Sequence, residues 1–235
     1  NKMTQKILVT GGDGRFARLL KNKNKKLNLV FKSKKHLNIL KISSIEKCIK
    51  EEKPKIILHT AALSRPMSVH ETNINKSIDI NIIGTCNIVK ICKKYNIKLI
   101  YFSTGYVYEG VKGNYKEKDP VKPFNNYGLS KLGGECAVQM YKNSLILRIT
   151  MMQKPFLYKK AFTNLKTNFM FHEDLVNILP KIIHKKGILN VGGKTQSVYN
   201  FAKKTNRSVR GILAKKYLKL PLNQTMDINL LKKII

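Results

Sequence analysis

Nowhere in these 235 residues does an apolar run reach the roughly 18 positions of a membrane span. The opening Asn1-Lys2-Met3 carries no signal-peptide hydrophobic region. The expectation is therefore a cytoplasmic chain with no membrane partner. Cysteine is sparse: Cys48, Cys86, Cys92 and Cys136 lie far apart, with no pair at the two-residue spacing of zinc or thioredoxin sites. They read as reduced core thiols with no chemical role, and the length of the chain rules out a disulfide-stapled mini-protein. Acidic residues number only 13 against 46 basic ones, giving a formal charge of +33. Such a charge suggests nucleic acid, yet only six of the basic residues are arginine, and the forty lysines are scattered from end to end. Base readers and phosphate clamps favour the planar arginine fork. Abundant Ile and Asn beside the lysine points instead to an AT-rich coding bias, so no nucleic-acid partner is expected. A basic surface would still steer small anions toward a cleft.

What is present is enough apolar material, 43% of residues, for a sizeable core. Strands and helices alternate, the pattern of a parallel α/β sheet covered on both faces. Strands are expected at residues 6–10, 27–31, 55–59, 98–103, 144–150 and 188–191. Helices are expected at 15–20, from Ser43 or Ser44 to Pro54, as one continuous piece over 73–95, and at 127–141, 174–185 and 197–205. The reading divides the chain into a dinucleotide-binding domain over 1–150 and a small, shortened substrate lobe over 151–235 whose elements return to the sheet. There are no repeats and no low-complexity linker.

Thr10-Gly11-Gly12-Asp13-Gly14-Arg15-Phe16-Ala17 stands where the first strand hands over to the first helix. Glycine permits the positive φ of a tight turn and a close approach of backbone to a pyrophosphate, and the small Ala17 lets helix and strand pack closely. With the alternation behind it, this is a Rossmann-type doubly wound sheet. Where the second strand ends, an acid would hold the ribose 2′-hydroxyl of NAD. Here stands Lys32-Ser33-Lys34-Lys35, with no Asp or Glu between Asp13 and Glu46. Ser33 and Lys34 are suited to a 2′-phosphate, so NADP is the expected cofactor and NAD the alternative.

Tyr127 and Lys131 lie four apart, on one face of a helix. A tyrosine of ordinary pKa near 10 needs a neighbouring cation to exchange protons near neutrality, and Lys131 is placed to be one. Thr104, at the carboxyl end of a strand, can hold a carbonyl oxygen beside the tyrosine. The histidines (His36, His59, His70, His172, His184) show no metal-ligand spacing, and Ser103 and Ser130 lack a nucleophile elbow. Glu173-Asp174 read as helix-start charges.

Taken together, the glycine turn, His59-Thr60-Ala61-Ala62-Leu63, Asn81-Ile82-Ile83-Gly84-Thr85, Ser103-Thr104-Gly105-Tyr106-Val107-Tyr108 and Asn126-Tyr127-Gly128-Leu129-Ser130-Lys131 resemble the extended short-chain dehydrogenase/reductases. Within them the chain is most similar to the dTDP-4-dehydrorhamnose reductase branch, strongly over residues 6–150 and faintly to the end. The resemblance implies NADP(H)-dependent reduction of a 4-keto-6-deoxy sugar nucleotide, in which Tyr127 protonates the keto oxygen, Lys131 holds the nicotinamide ribose and lowers the tyrosine pKa, and Thr104 orients the carbonyl. It implies cofactor contacts at Gly11, Gly14, Arg15, Phe16, Ala61, Ala62 and Leu63, an Asn81 that braces the neighbouring strand, and a helix over 73–95 able to form a homodimer. Gly105 and Asn38 stand where aspartate is common. The alternatives are an epimerase or dehydratase of the same clan, or a noncatalytic regulatory subunit like the partner of methionine adenosyltransferase.

Overall fold

The computed structural model describes residues 5–214 and 220–235; the opening Asn1-Lys2-Met3 lies outside them. Ile7 and Val9 point to one face of the first strand, β1 (Ile7–Thr10), and Leu8 to the other, all three buried. Such a strand must be covered on both sides. Helix α1 (Arg15–Lys23) follows, then β2 (Leu29–Lys32), α2 (Ile42–Glu52) and β3 (Ile56–His59). The strand β4 (Lys98–Thr104), helix α3 (Asn126–Gln139) and strand β5 (Ser144–Ile149) continue the alternation. After residue 150 come helix α4 (His172–Ile182), strand β6 (Gly187–Val191) and helix α5 (Val198–Lys203), which Ser197 caps by accepting from Asn200 N.

The main sheet has six parallel strands in the order β6-β5-β4-β3-β1-β2. One face packs on Phe16, Ala17 and Leu20 of α1 and on Leu175, Leu179 and Ile182 of α4. The other packs on Ile45, Cys48 and Ile49 of α2 and on Val138 of α3. The chain leaves β1 in one direction for β2 and in the other for β3. A crevice at the carboxyl ends of β1 and β3 is the place where doubly wound sheets bind ligands. Among the described residues no helix is long and apolar enough to cross a membrane, and no group of three metal-ligating side chains occurs.

Three expectations need correction. The helix expected over 73–95 is broken. Short helical turns at Val69–Thr72 and Ile74–Ser77 lead into a π-helical turn, Ile78–Ile83, and only then into a regular helix over Gly84–Lys94. The helix Ile42–Glu52 starts one residue before Ser43 with Lys41 at its cap position, because the Ser44 hydroxyl is engaged by the Asn38 N–H instead. Of the cysteines, only Cys48 and Cys92 are core thiols. Cys86 is half-buried and Cys136 is exposed, on the solvent side of α3.

Candidate functional site

The crevice is built first from backbone. Gly11 sits at φ +66°, and a Cβ there would stand 2.8 Å from Ala61 Cα, so the turn after β1 and the loop after β3 touch only because Gly11 has no side chain. Gly14 N donates to Gly11 O (2.9 Å) and Gly14 caps α1 with no side-chain partner and no acid in the first turn. The helix therefore presents free N–H groups and its positive end to the crevice. This cradle fits a dinucleotide pyrophosphate.

Asn81, aimed by the π-helical turn, clamps the loop after β3. Its Oδ1 accepts from Leu63 N (2.7 Å), and its Nδ2 donates to Leu63 O (2.9 Å) and Ser130 Oγ (2.9 Å). Ser130 Oγ in turn donates to Tyr127 O (2.8 Å). Leu63 and the first turn of α3 are thus locked to each other. Asn125 caps α3 by accepting from Gly128 N (2.8 Å), and a Cβ at Gly128 would lie 2.5 Å from Tyr106 O. That close approach sets Tyr127 beside Thr104, whose hydroxyl accepts from Tyr106 N (3.2 Å). Lys131 follows one turn later, 3% exposed, its Nζ 4.3 Å from the Tyr101 ring centre.

Beneath the site Glu135 is fully buried and Arg148 nearly so. Arg148 Nη2 donates to Glu135 Oε1 (2.6 Å), Ser103 Oγ to Glu135 Oε2 (2.6 Å), and Arg148 Nη1 to Tyr108 OH (2.7 Å) and Glu117 O (3.1 Å). Tyr108 OH donates onward to Asn190 Oδ1 (2.9 Å). Every charge here has a partner, and the network ties the ends of β4, β5 and β6 to α3.

The electrostatics differ from the expectation in one respect. Burial pushes the Tyr127 phenol up to about 12, with Tyr106 adding to it and the Thr104 hydroxyl and the Arg65 charge pulling the other way. Burial also brings Lys131 down to about 7, against the pull of Glu135. Lys131 is thus only half charged near neutrality in the ligand-free chain and does not by itself lower the tyrosine. At the end of β3, His59 is held in one tautomer. Thr85 Oγ1 donates to Asn81 O, so it accepts from His59 Nε2, while Thr10 Oγ1 donates to His59 Nδ1 (2.8 Å). Burial, with Lys131 beside it, lowers His59 to about 3.

Stability should follow from these two groups. An unfolded chain protonates His59 near 6.5 and Lys131 near 10.5, and the folded one only near 3 and 7. The unfolded state holds the extra protons in both windows, so stability falls as pH drops from 10.5 to about 7 and again from 6.5 to about 3. Lys131→Met should therefore raise the unfolding free energy at pH 7, by up to about 5 kcal/mol, and the gain should vanish near pH 10.5. Denaturant titrations of both proteins at the two pH values check this. An equal gain at both would overturn it.

The cleft, about 690 Å³, is lined by Gly14, Arg15, Phe16, Ala62, Leu63, Thr104, Tyr127 and Lys131 among the expected residues. Gly11 and Ala61 lie behind the lining, packed on each other. Ser33 and Lys34 are not brought into it: Ser33 Oγ meets His36 Nδ1 (3.0 Å), and Lys32 pairs with Glu52 (2.7 Å). Gly105 has no room for the aspartate often found there, since a Cβ would lie 2.7 Å from Thr150 Cγ2 and 3.2 Å from Met226 Sδ. Arg18, Arg65, Gln153, Tyr158 and His172 line the cleft without having been singled out as site residues. Only scarcity could have pointed to the two arginines.

The profile of the RmlD substrate binding domain matches residues 5–178. The chain belongs to the RmlD family. Methionine adenosyltransferase 2 subunit beta of Xenopus laevis is 33% identical over 117 residues, covering 49% of this chain and 35% of that protein. The dTDP-4-dehydrorhamnose reductase of Aggregatibacter actinomycetemcomitans is 28% identical over 148 residues, 61% of this chain and 50% of that one. The chain spans about a third to a half of the length of these curated relatives. Among solved structures, dTDP-4-dehydrorhamnose reductase from Bacillus anthracis in complex with NADP superposes with a TM-score of 0.87 at 23% identity, covering 98% of this chain and 93% of that one. The family membership agrees with the sugar-nucleotide reductase branch read from the motifs, and the shared fold with the doubly wound sheet.

Proposed function

We propose that this RmlD family member is an NADP(H)-dependent reductase of a 4-keto-6-deoxy sugar nucleotide, of the dTDP- or UDP-4-dehydrorhamnose kind. The observation that carries the reading is the convergence of Thr104, Tyr127 and Lys131 on one cleft whose other wall is the glycine turn and the start of α1. A reductase in complex with NADP shares the fold. When bound, the dinucleotide supplies a hydride to the carbonyl carbon. Thr104 orients the keto oxygen, and the Tyr127 hydroxyl donates the proton that completes the alcohol. Lys131 carries the charge that makes the phenol a better acid, and acceptors brought to its Nζ by a ligand raise its charged fraction. Gly11, Gly14, Arg15, Phe16, Ala61, Ala62 and Leu63 form the cofactor side. The absence of acid between Asp13 and Glu46 favours NADPH over NADH. Exposed Ile74, Ile78 and Ile83 support a homodimer. Four free cysteines fit a cytoplasmic setting.

The test is loss of NADPH absorbance on adding a 4-keto sugar nucleotide, with both cofactors titrated by fluorescence. Turnover with tighter NADPH than NADH is expected. Equal or tighter NADH refutes the cofactor preference. A second reading, a dinucleotide-binding subunit of another enzyme, is favoured by the 33% identity to methionine adenosyltransferase 2 subunit beta. It takes over if NADPH binds and no keto sugar nucleotide is reduced.

A further inference from the structure

Three of the six arginines, Arg15, Arg18 and Arg65, line the cleft. In a chain where lysine outnumbers arginine forty to six, three arginines on one cleft concentrate a planar donor fork that the point charge of lysine does not reproduce. Arg15 and Arg18 stand on α1 at the glycine turn and have partners there: Arg15 Nη1 donates to Gln153 Oε1 (2.9 Å) and Arg18 Nε to Asp13 O (2.7 Å).

Arg65 comes from the opposite wall. It lies two residues beyond Leu63, whose N–H and C=O are both held by Asn81, so its backbone is anchored. Its Nη1 donates to Tyr158 OH, reaching across 93 positions of sequence to the segment after β5, and its guanidinium carbon stands 5.8 Å from that ring centre. Among the described residues it makes no ion pair with a carboxylate, and the only acid lining the cleft is Asp13, on the other wall. Tyr127, Tyr106 and His172 all feel its charge. An uncompensated fork, open to solvent and held by Tyr158 beside the proposed proton donor, offers a place for a second anion.

We infer that Arg65, steadied by Tyr158, binds the diphosphate of the substrate's nucleotide, on the Tyr127 side of the cleft and apart from the arginines at the dinucleotide turn. A guanidinium offers two parallel N–H donors to phosphate oxygens, which an ammonium cannot match. Tyr158 is a positioning residue that keeps the fork turned into the cleft. The inference rests on the sugar-nucleotide reading above, and the experiment separates the two.

Calorimetric titration of dTDP, UDP and thymidine onto the NADP-loaded chain is the test, with Arg65→Met, Arg65→Lys and Tyr158→Phe. The unaltered protein should bind dTDP or UDP. Arg65→Met should weaken that binding about tenfold or more and leave thymidine and NADPH affinity unchanged. Arg65→Lys, which keeps the charge and guards against misfolding, should fall between. Tyr158→Phe should raise KM for the sugar nucleotide and spare kcat. Unchanged dTDP and UDP affinity in Arg65→Met, a parallel loss of NADPH affinity, or an unaltered protein that binds neither diphosphate overturns the assignment. Diphosphate binding that depends on Arg65, without any NADPH oxidation, upholds it while refuting the reductase reading.

Discussion

Tyr127→Phe is expected to give a folded protein that still binds NADPH and reduces a 4-keto sugar nucleotide about 10²–10⁴-fold more slowly. The ring that remains keeps its contacts with Tyr106 and His70, at centroid distances of 6.0 and 5.1 Å. The glycine turn lies elsewhere in the cleft, so only the hydroxyl beside Thr104 is lost. Thr104→Val should cost less, since the proton donor survives. Lys131→Ala should cost at least as much, because it removes both the cation and the proposed contact with the nicotinamide ribose, and here cofactor affinity should fall with turnover. Steady-state rates beside NADPH titrations separate these cases. Near-normal turnover in Tyr127→Phe would mean that another group delivers the proton.

The largest loss of stability is expected at Arg148. It is 2% exposed and its partner Glu135 is 0% exposed, so Arg148→Met leaves a carboxylate inside the protein with only Ser103 and Gln139 to answer it. Removing one partner of a buried pair typically costs about 3–5 kcal/mol. Tyr108 and the Glu117 carbonyl lose their donor as well. Replacing both partners, Arg148→Met with Glu135→Leu, should recover much of the loss, because no uncompensated charge remains. Denaturant unfolding of the single and double variants measures both. A single variant within about 1 kcal/mol of the parent would show that water reaches Glu135 and that the pair is not sealed.

The strands were legible because a doubly covered parallel strand is written as a short apolar run, as in Ile7-Leu8-Val9 and Ile56-Ile57-Leu58. Thr104, Tyr127 and Lys131 were legible because strand ends and helix faces fix where they point. The π-helical turn was not: Ile78, Ile82 and Ile83 fit a helical stripe, and apolar spacing does not distinguish a wide turn from an ordinary one. Burial was also hidden. The spacing placed Lys131 by Tyr127 but could not say that burial in the same pocket would lower its pKa to about 7. Arg65 and Tyr158 sit on aperiodic loops, so their meeting exists only in three dimensions. The lysines at 32–35 looked like one phosphate-binding cluster, yet Lys32 is turned to Glu52 by a contact distant in sequence.

The wide turn at Ile78–Ile83 also governs which changes of length the chain can absorb. A π-helical turn holds one residue more than its α-helical equivalent. Losing that residue would swing everything before it by about 100° about the helix axis. Asn81 would face away from Leu63, or His70 would leave Tyr127. No rotamer change compensates for such a rotation, whereas substitution within the turn alters only one side chain. In this stretch the count of residues is under tighter constraint than their identity, the reverse of what holds in the loops around the cleft.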